Sequence, residues 1–108
     1  VKRESKRVYK YLGIILDPPA YGHGPNGESW KLEDEINEML KLVRTILHHK
    51  HFMVLNTYSL SFSSLILDNL MDQYFDTSIK RETGEIYLSS LTHQKLPLGV
   101  FSRHRCAY

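Results

Sequence analysis

At 108 residues, 42% of them hydrophobic, the chain is long enough for one small domain with a modest core and too short for two. Fourteen Lys and Arg against twelve Asp and Glu leave a formal charge of +2, too balanced for a dedicated cationic binding face, so bulk charge alone selects no partner. No run approaches the roughly 18 apolar residues of a membrane span, no targeting signal is visible, and a single cysteine, Cys106, excludes a disulfide framework, a paired-cysteine zinc site and a Cys-x-x-Cys redox pair. A reducing cytoplasm is the expected setting.

Residues 1–8 carry Lys2, Arg3, Lys6 and Arg7 at helical spacing and read as the tail of a helix, and the chain starts at Val1 with no initiator methionine. Both features suggest a fragment. Tyr11-Leu12-Gly13-Ile14-Ile15-Leu16 is a short apolar run that predicts a buried strand. It must stop at Asp17, because Pro18 and Pro19 fix φ and lack N–H groups. A loop from Ala20 to about Trp30 follows, rich in glycine and holding the turn dipeptide Asn26-Gly27.

From about Leu32, apolar residues at Leu32, Ile36, Met39, Leu40, Val43, Ile46 and Leu47 form a stripe of helical period, and Glu33, Asp34 and Glu35 suit its N-terminal dipole. Phe52-Met53-Val54-Leu55 predicts a second buried strand that ends in Asn56-Thr57-Tyr58-Ser59. A second helix is expected from about Ser61 to Tyr74 with Phe62, Leu65, Ile66, Leu70 and Tyr74 inward. Glu85-Ile86-Tyr87-Leu88 and Leu98-Gly99-Val100-Phe101 read as an antiparallel pair. The order predicts an open α/β sheet, parallel at first and closed by an antiparallel hairpin.

Ligands in such sheets collect beyond the carboxyl ends of the parallel strands. Two polar segments end there, Asp17-Pro18-Pro19-Ala20-Tyr21 and Asn56-Thr57-Tyr58-Ser59, and a right-handed crossover sets them side by side. The first offers a carboxylate and backbone carbonyls, with no proline N–H to occupy them. It suits a substrate that donates hydrogen bonds, such as a nucleobase amine, with Tyr21 able to stack on the ring. A plain strand-ending turn accounts for the same residue types equally well.

Gly22-His23-Gly24-Pro25-Asn26-Gly27 matches G-x-G-x-x-G, but a dinucleotide fingerprint turns directly from strand into helix, whereas here five residues separate strand from first glycine. A lid with glycine hinges or a surface loop fits better. His48, His49 and His51 resemble a metal cluster, yet adjacent residues diverge on a helix and no acidic or cysteine ligand is near in sequence. Cationic residues finishing the helix explain them better, and no metal is expected. His23, His93 and His104 have no recognisable partners, the serines near position 60 lack a nucleophile elbow, and Trp30 reads as a packing residue seating the helix.

The stretch from Ile14 through Asp17-Pro18-Pro19-Ala20-Tyr21-Gly22-His23-Gly24-Pro25-Asn26-Gly27-Glu28-Ser29-Trp30-Lys31 to Glu33 resembles a bacterial family of class I methyltransferases, the ribosomal RNA large-subunit methyltransferase-like proteins. The likeness continues through Val54-Leu55-Asn56-Thr57-Tyr58-Ser59 and Leu96-Pro97-Leu98-Gly99-Val100-Phe101-Ser102-Arg103. It implies a partial Rossmann-like sheet, from the fourth strand onward, with S-adenosyl-L-methionine as cofactor and RNA as partner. The glycine-rich N-terminal half that holds the cofactor would lie outside this chain. By the same resemblance, Asp17, Pro18, Pro19 and Tyr21 form the catalytic loop, with Asp17 and Pro18 beside the transferring methyl. Tyr21, Asn56, Thr57 and Tyr58 would contact the base. No cysteine lies in either strand-end loop, which removes covalent thiolate attack and favours a base nitrogen as acceptor. The tail from His104 runs past the family's expected end. The competing expectations are a non-enzymatic module that binds through an open sheet edge and a nucleotide-binding domain built on Gly22–Gly27.

Overall fold

The computed structural model describes residues 9–27, 29–58, 62–75 and 80–106. The expected helix tail at residues 1–8 with its basic cluster, the side chains of His23 and Trp30, and the segment where the second helix was expected to start lie outside what is described. Strand β1 (Tyr11–Leu16) leads into a small hairpin of β2 (Tyr21–His23) and β3 (Ser29–Lys31), then helix α1 (Leu32–Ile46), strand β4 (Leu47–Thr57), helix α2 (Ser64–Tyr74) and the long strands β5 (Arg81–Ser89) and β6 (Lys95–Cys106). The main sheet has the order β1-β4-β6-β5. β1 and β4 are parallel, and β6 runs antiparallel to both its neighbours. The expected α/β sheet with an antiparallel finish is therefore present.

One face of this sheet is packed by the two helices. Helix α1 places Leu32, Ile36, Met39, Leu40, Val43 and Ile46 inward, and burying each such side chain contributes about 2 kcal/mol. Strand β4 alternates, with His51, Met53, Leu55 and Thr57 buried on the helix side and Phe52, Val54, Asn56 and Tyr58 facing the other way. Leu67, Met71, Phe75 and Val100 complete the core. The opposite face carries no helix among the described residues, and β1, expected to be a buried strand, is an edge strand with no fully buried residue, Ile15 being 71% exposed.

The expected inner face of helix α2 holds in part: Phe62 just before it is buried, and Leu70 and Tyr74 pack against the core. Its buried residues are Leu67 and Met71, while Leu65 and Ile66, also expected inward, are exposed. The cause of the difference lies in β5: Arg81 holds Asp68 at 2.9 Å and also pairs with Asp72, and the Thr83 hydroxyl donates to Asp68 at 2.9 Å. Anchoring the Asp68 and Asp72 row to the sheet carries the adjacent Leu67, Met71 and Phe75 row into the core. The helix starts where its cap dictates, with Ser63 Oγ accepting from the Ile66 N–H at 3.2 Å.

The histidines at positions 48, 49 and 51 do not finish a helix. Helix α1 ends when the Leu47 N–H donates to Val43, and Leu47 has already taken up extended geometry as the start of β4. The apolar stripe is exhausted there, and the chain gains more by pairing with β1 and β6. Nor is His104 without a partner: its Nε2 lies 2.9 Å from Nε2 of His51 across the β4/β6 ladder, beside the Phe75 ring. From His104 to Cys106 the tail continues β6, with Cys106 opposite His51. Among the described residues no three potential ligands gather into a metal site, and no helix is long and apolar enough to cross a membrane.

Candidate functional site

The parallel ladder of β1 and β4 runs in register from Gly13 opposite Phe52 to Leu16 opposite Leu55. Both strands therefore run out at the same edge of the sheet, Asp17 immediately after one and Tyr58 immediately after the other. Their side chains are near neighbours: partial desolvation raises the Tyr58 phenol above its ordinary pKa, and the negative Asp17 carboxylate acts in the same direction. Tyr58 is thus a protonated donor at neutral pH. A carboxylate has about four acceptor positions, and Asp17 is exposed, so acceptor capacity faces outward.

The rest of the expected loop divides. Pro18 is half-buried and Pro19 exposed. The Ala20 carbonyl is already occupied, accepting from the Leu32 N–H at 2.8 Å; that contact satisfies one of the orphan donors at the start of α1. Tyr21 lies in β2, opposite Lys31, with its side chain exposed. Gly22–Gly27 belongs to the hairpin rather than to a strand-to-helix turn: Gly22 pairs with Trp30, the Gly27 N–H donates to Gly24 at 3.2 Å, and Gly27 sits at φ +84°, where glycine is favoured. β3 separates this turn from α1. The long structureless loop expected here is a short two-stranded hairpin, closed by the Asn26-Gly27 turn.

From the second segment, Asn56 is half-buried on the uncovered face. Thr57 points the other way. It is fully buried on the helix side, and its hydroxyl donates to the Val100 carbonyl at 3.3 Å, so its side chain ties β4 to β6 and is not part of the wall beside Asp17. One residue of the site escaped the sequence reading. A Cβ at Gly99 would collide with the Thr57 carbonyl oxygen and come within 3.0 Å of Tyr58 Cδ1. Glycine inside a strand often marks such a close approach, and this was the available signal.

An exposed carboxylate with a phenol beside it, beyond two parallel strand ends, forms an acceptor-rich site at the position where open α/β sheets bind ligands. No protein-family model matches the chain, and no curated protein matches it. Solved structures do. The SAM-dependent methyltransferase from Agrobacterium tumefaciens superposes with a TM-score of 0.81 at 31% identity, over 96% of this chain and 36% of that one. The chain is folded like part of a methyltransferase. A candidate methyltransferase, SMU.776, solved in complex with SAH, superposes with a TM-score of 0.67 over 95% of this chain and 28% of that one; at 16% identity it supports the fold alone. The chain thus spans about a third of the length of the structures it matches.

Proposed function

We propose that this chain is the substrate-side half of an S-adenosylmethionine-dependent methyltransferase that methylates a base in ribosomal RNA, working with an N-terminal half that brings the cofactor. The observation that carries the reading is the meeting of Asp17 and Tyr58 at the parallel strand ends, in a fold shared at 31% identity with a SAM-dependent methyltransferase. The resemblance of the Asp17-to-Glu33 stretch to ribosomal RNA methyltransferase-like proteins supplies the RNA.

The cofactor supplies an electrophilic methyl carried on a sulfonium. The residues here fit a site beside it: Asp17 presents an exposed carboxylate to a cationic donor and an N–H-bearing base, and Pro18 adds no competing donor. Asp17 accepts a hydrogen bond from the target amine and so orients its lone pair, while Tyr21 stacks on the base. Asn56 and Tyr58 form the neighbouring wall. The open edge of β1 and the uncovered sheet face, where Ile15 and Phe52 are exposed, receive the N-terminal half, since an unpaired edge and an exposed apolar face both favour being covered.

Two measurements test the proposal. Titrating S-adenosylmethionine into this chain alone should give no binding above background; clear binding would place the cofactor site within these residues. Joined to its cofactor-binding half, the protein should transfer a labelled methyl to ribosomal RNA, with an N-methylated nucleoside detected by mass spectrometry. Transfer to protein or small molecules, with none to RNA, would refute the substrate assignment.

A further inference from the structure

The hairpin of β5 and β6 is longer than the sheet that carries it. β6 pairs with β4 only as far as Val100 opposite Thr57, whereas its pairing with β5 continues to Lys95 opposite Ser89. Residues 86–99 therefore form a two-stranded arm that projects past the carboxyl end of β4, the end beyond which Asp17 also lies. From Val100 to Lys95 this is roughly 16 Å of strand. The arm ends in a hydrogen-bonded tip. The Ser90 carbonyl accepts from the His93 N–H at 3.1 Å, the Ser90 N–H donates to the Gln94 carbonyl at 2.8 Å, and Ser90 Oγ accepts from the N–H groups of Thr92 and Gln94 at 3.3 and 3.1 Å. Hairpin turns of this shape close on a left-handed residue, a place that suits glycine; here it is His93, exposed and at φ 66°. A side chain costs more there than glycine would, and such a cost persists where function requires the residue. Below the tip, Tyr87 is 45% exposed, and Lys95 Nζ stands 4.7 Å from the centre of its ring. No Asp or Glu follows Glu85 in the chain, so the arm carries a lysine and no acidic residue.

We propose that this arm holds the single-stranded RNA flanking the target base: Tyr87 stacks on a neighbouring base, while Lys95 and His93 meet the phosphates beside it. The proposal rests on the RNA methyltransferase reading and adds where the strand runs. An exposed aromatic ring beside a cation is how single strands are bound without reading their sequence. The placement fits, because β6 stands two strands from β1, roughly 10 Å across the sheet, so one strand of RNA reaches both Asp17 and the arm. Leu88, Leu91 and Leu96 are exposed on the same arm; the lack of any acidic residue beside Lys95 and His93 selects a polyanion over a protein.

The test uses the protein joined to its cofactor-binding half, with a labelled transcript of ribosomal RNA as probe and S-adenosylmethionine binding as the control for folding. Tyr87→Ala should weaken RNA binding roughly tenfold, as for loss of one stacked base, with cofactor binding unchanged. Lys95→Gln should reduce the slope of log affinity against log salt by about 0.7, the share of one phosphate contact on a single strand. His93→Gly should bind RNA more weakly while unfolding at a higher temperature, because glycine relieves the left-handed backbone. Parental RNA affinity in all three variants, with methylation of ribosomal RNA intact, would refute the arm and leave the methyltransferase reading standing. A parent that neither binds nor methylates RNA would refute that reading and the arm with it. A dimer in solution that Leu88→Lys dissociates would make the arm a contact between copies and overturn the proposal.

Discussion

The two ends of β4 carry polar side chains for opposite reasons. At one end His51 is buried against His104 and Phe75, and at the other Tyr58 stands 45% exposed beside an exposed Asp17. At the buried end the histidines bond to one another and to the backbone, with one nitrogen left over. His51 Nδ1 lies 2.7 Å from the His48 carbonyl; a carbonyl only accepts, so the proton is on Nδ1 and Nε2 must accept from His104. That leaves His104 Nδ1 as a buried lone pair with no partner. The open end is left unfinished, with acceptors directed outward. A polar group that is sealed contributes structure, and one that is left facing solvent beside a strand end is available for chemistry.

Substitutions at each end should separate these roles, and the largest effect is expected at the open end. Asp17→Ala should lower methyl transfer by about a hundredfold or more, as for loss of an oriented electrostatic group, while thermal unfolding shifts by less than the equivalent of about 0.5 kcal/mol because the residue is exposed. A matching loss of stability would erase the distinction between the two ends.

At the buried end, His104→Ala should cost about 2 to 4 kcal/mol in urea unfolding, from the cavity beside Phe75 and the unpartnered His51. The same end sets the acid limit of the fold. Burial first, then His51 and Arg81, lower His104 to about 4. A group whose folded pKa is depressed binds its proton more readily when unfolded, so its contribution is complete above about 6.5, the ordinary histidine value, and is lost as pH falls through about 4. Unfolding measured from pH 7 to 4 should show a decline on the order of 3 kcal/mol. His104→Phe should flatten that decline. An identical pH profile in the variant would remove the histidine pair as its cause.

A smaller effect sharpens the comparison at the α2 side. Arg81→Met should cost about 1 to 2 kcal/mol by releasing Asp68 and Asp72 from β5. Hydrogen bonding from Arg81 and Thr83 lowers Asp68 below its ordinary carboxylate value, so this contribution too is present at neutral pH and fades in acid. Hydrogen exchange of α2 should rise in the variant while the β1/β4 ladder stays protected. Equal loosening of both would mean that the sheet and the helix form one cooperative unit.

Much of this was legible in the sequence, for local reasons. Leu32, Ile36, Met39, Leu40 and Val43 impose a helix whatever packs against them, and Pro18-Pro19 ends β1 whatever follows, because both effects act within a few residues. That Leu67 and Met71, rather than Leu65 and Ile66, would be buried in α2 was not legible. Leu65, Ile66, Leu67, Leu70 and Met71 are too uniformly apolar to define a face, and the choice was made by Arg81, which is remote in sequence. Nor could the pairing of His51 with His104 be read, since it depends on the register of β4 and β6. The hairpin at 21–31 looked like open loop because its strands are only three residues each, too short for alternation to register.

The same division holds at the site. The residue types of Asp17-Pro18-Pro19-Ala20-Tyr21 establish by themselves an acceptor-rich loop after an apolar strand, because a carboxylate and two N–H-less prolines have that character in any context. Only the folded sheet decides which acceptors stay available: the Ala20 carbonyl is taken by the start of α1, Thr57 turns into the core, and Asp17 lies beside Tyr58, whose ring seats on Gly99. Those outcomes depend on strand register and on the close approach of three strand ends, which are properties of distance in space and leave no mark in local sequence.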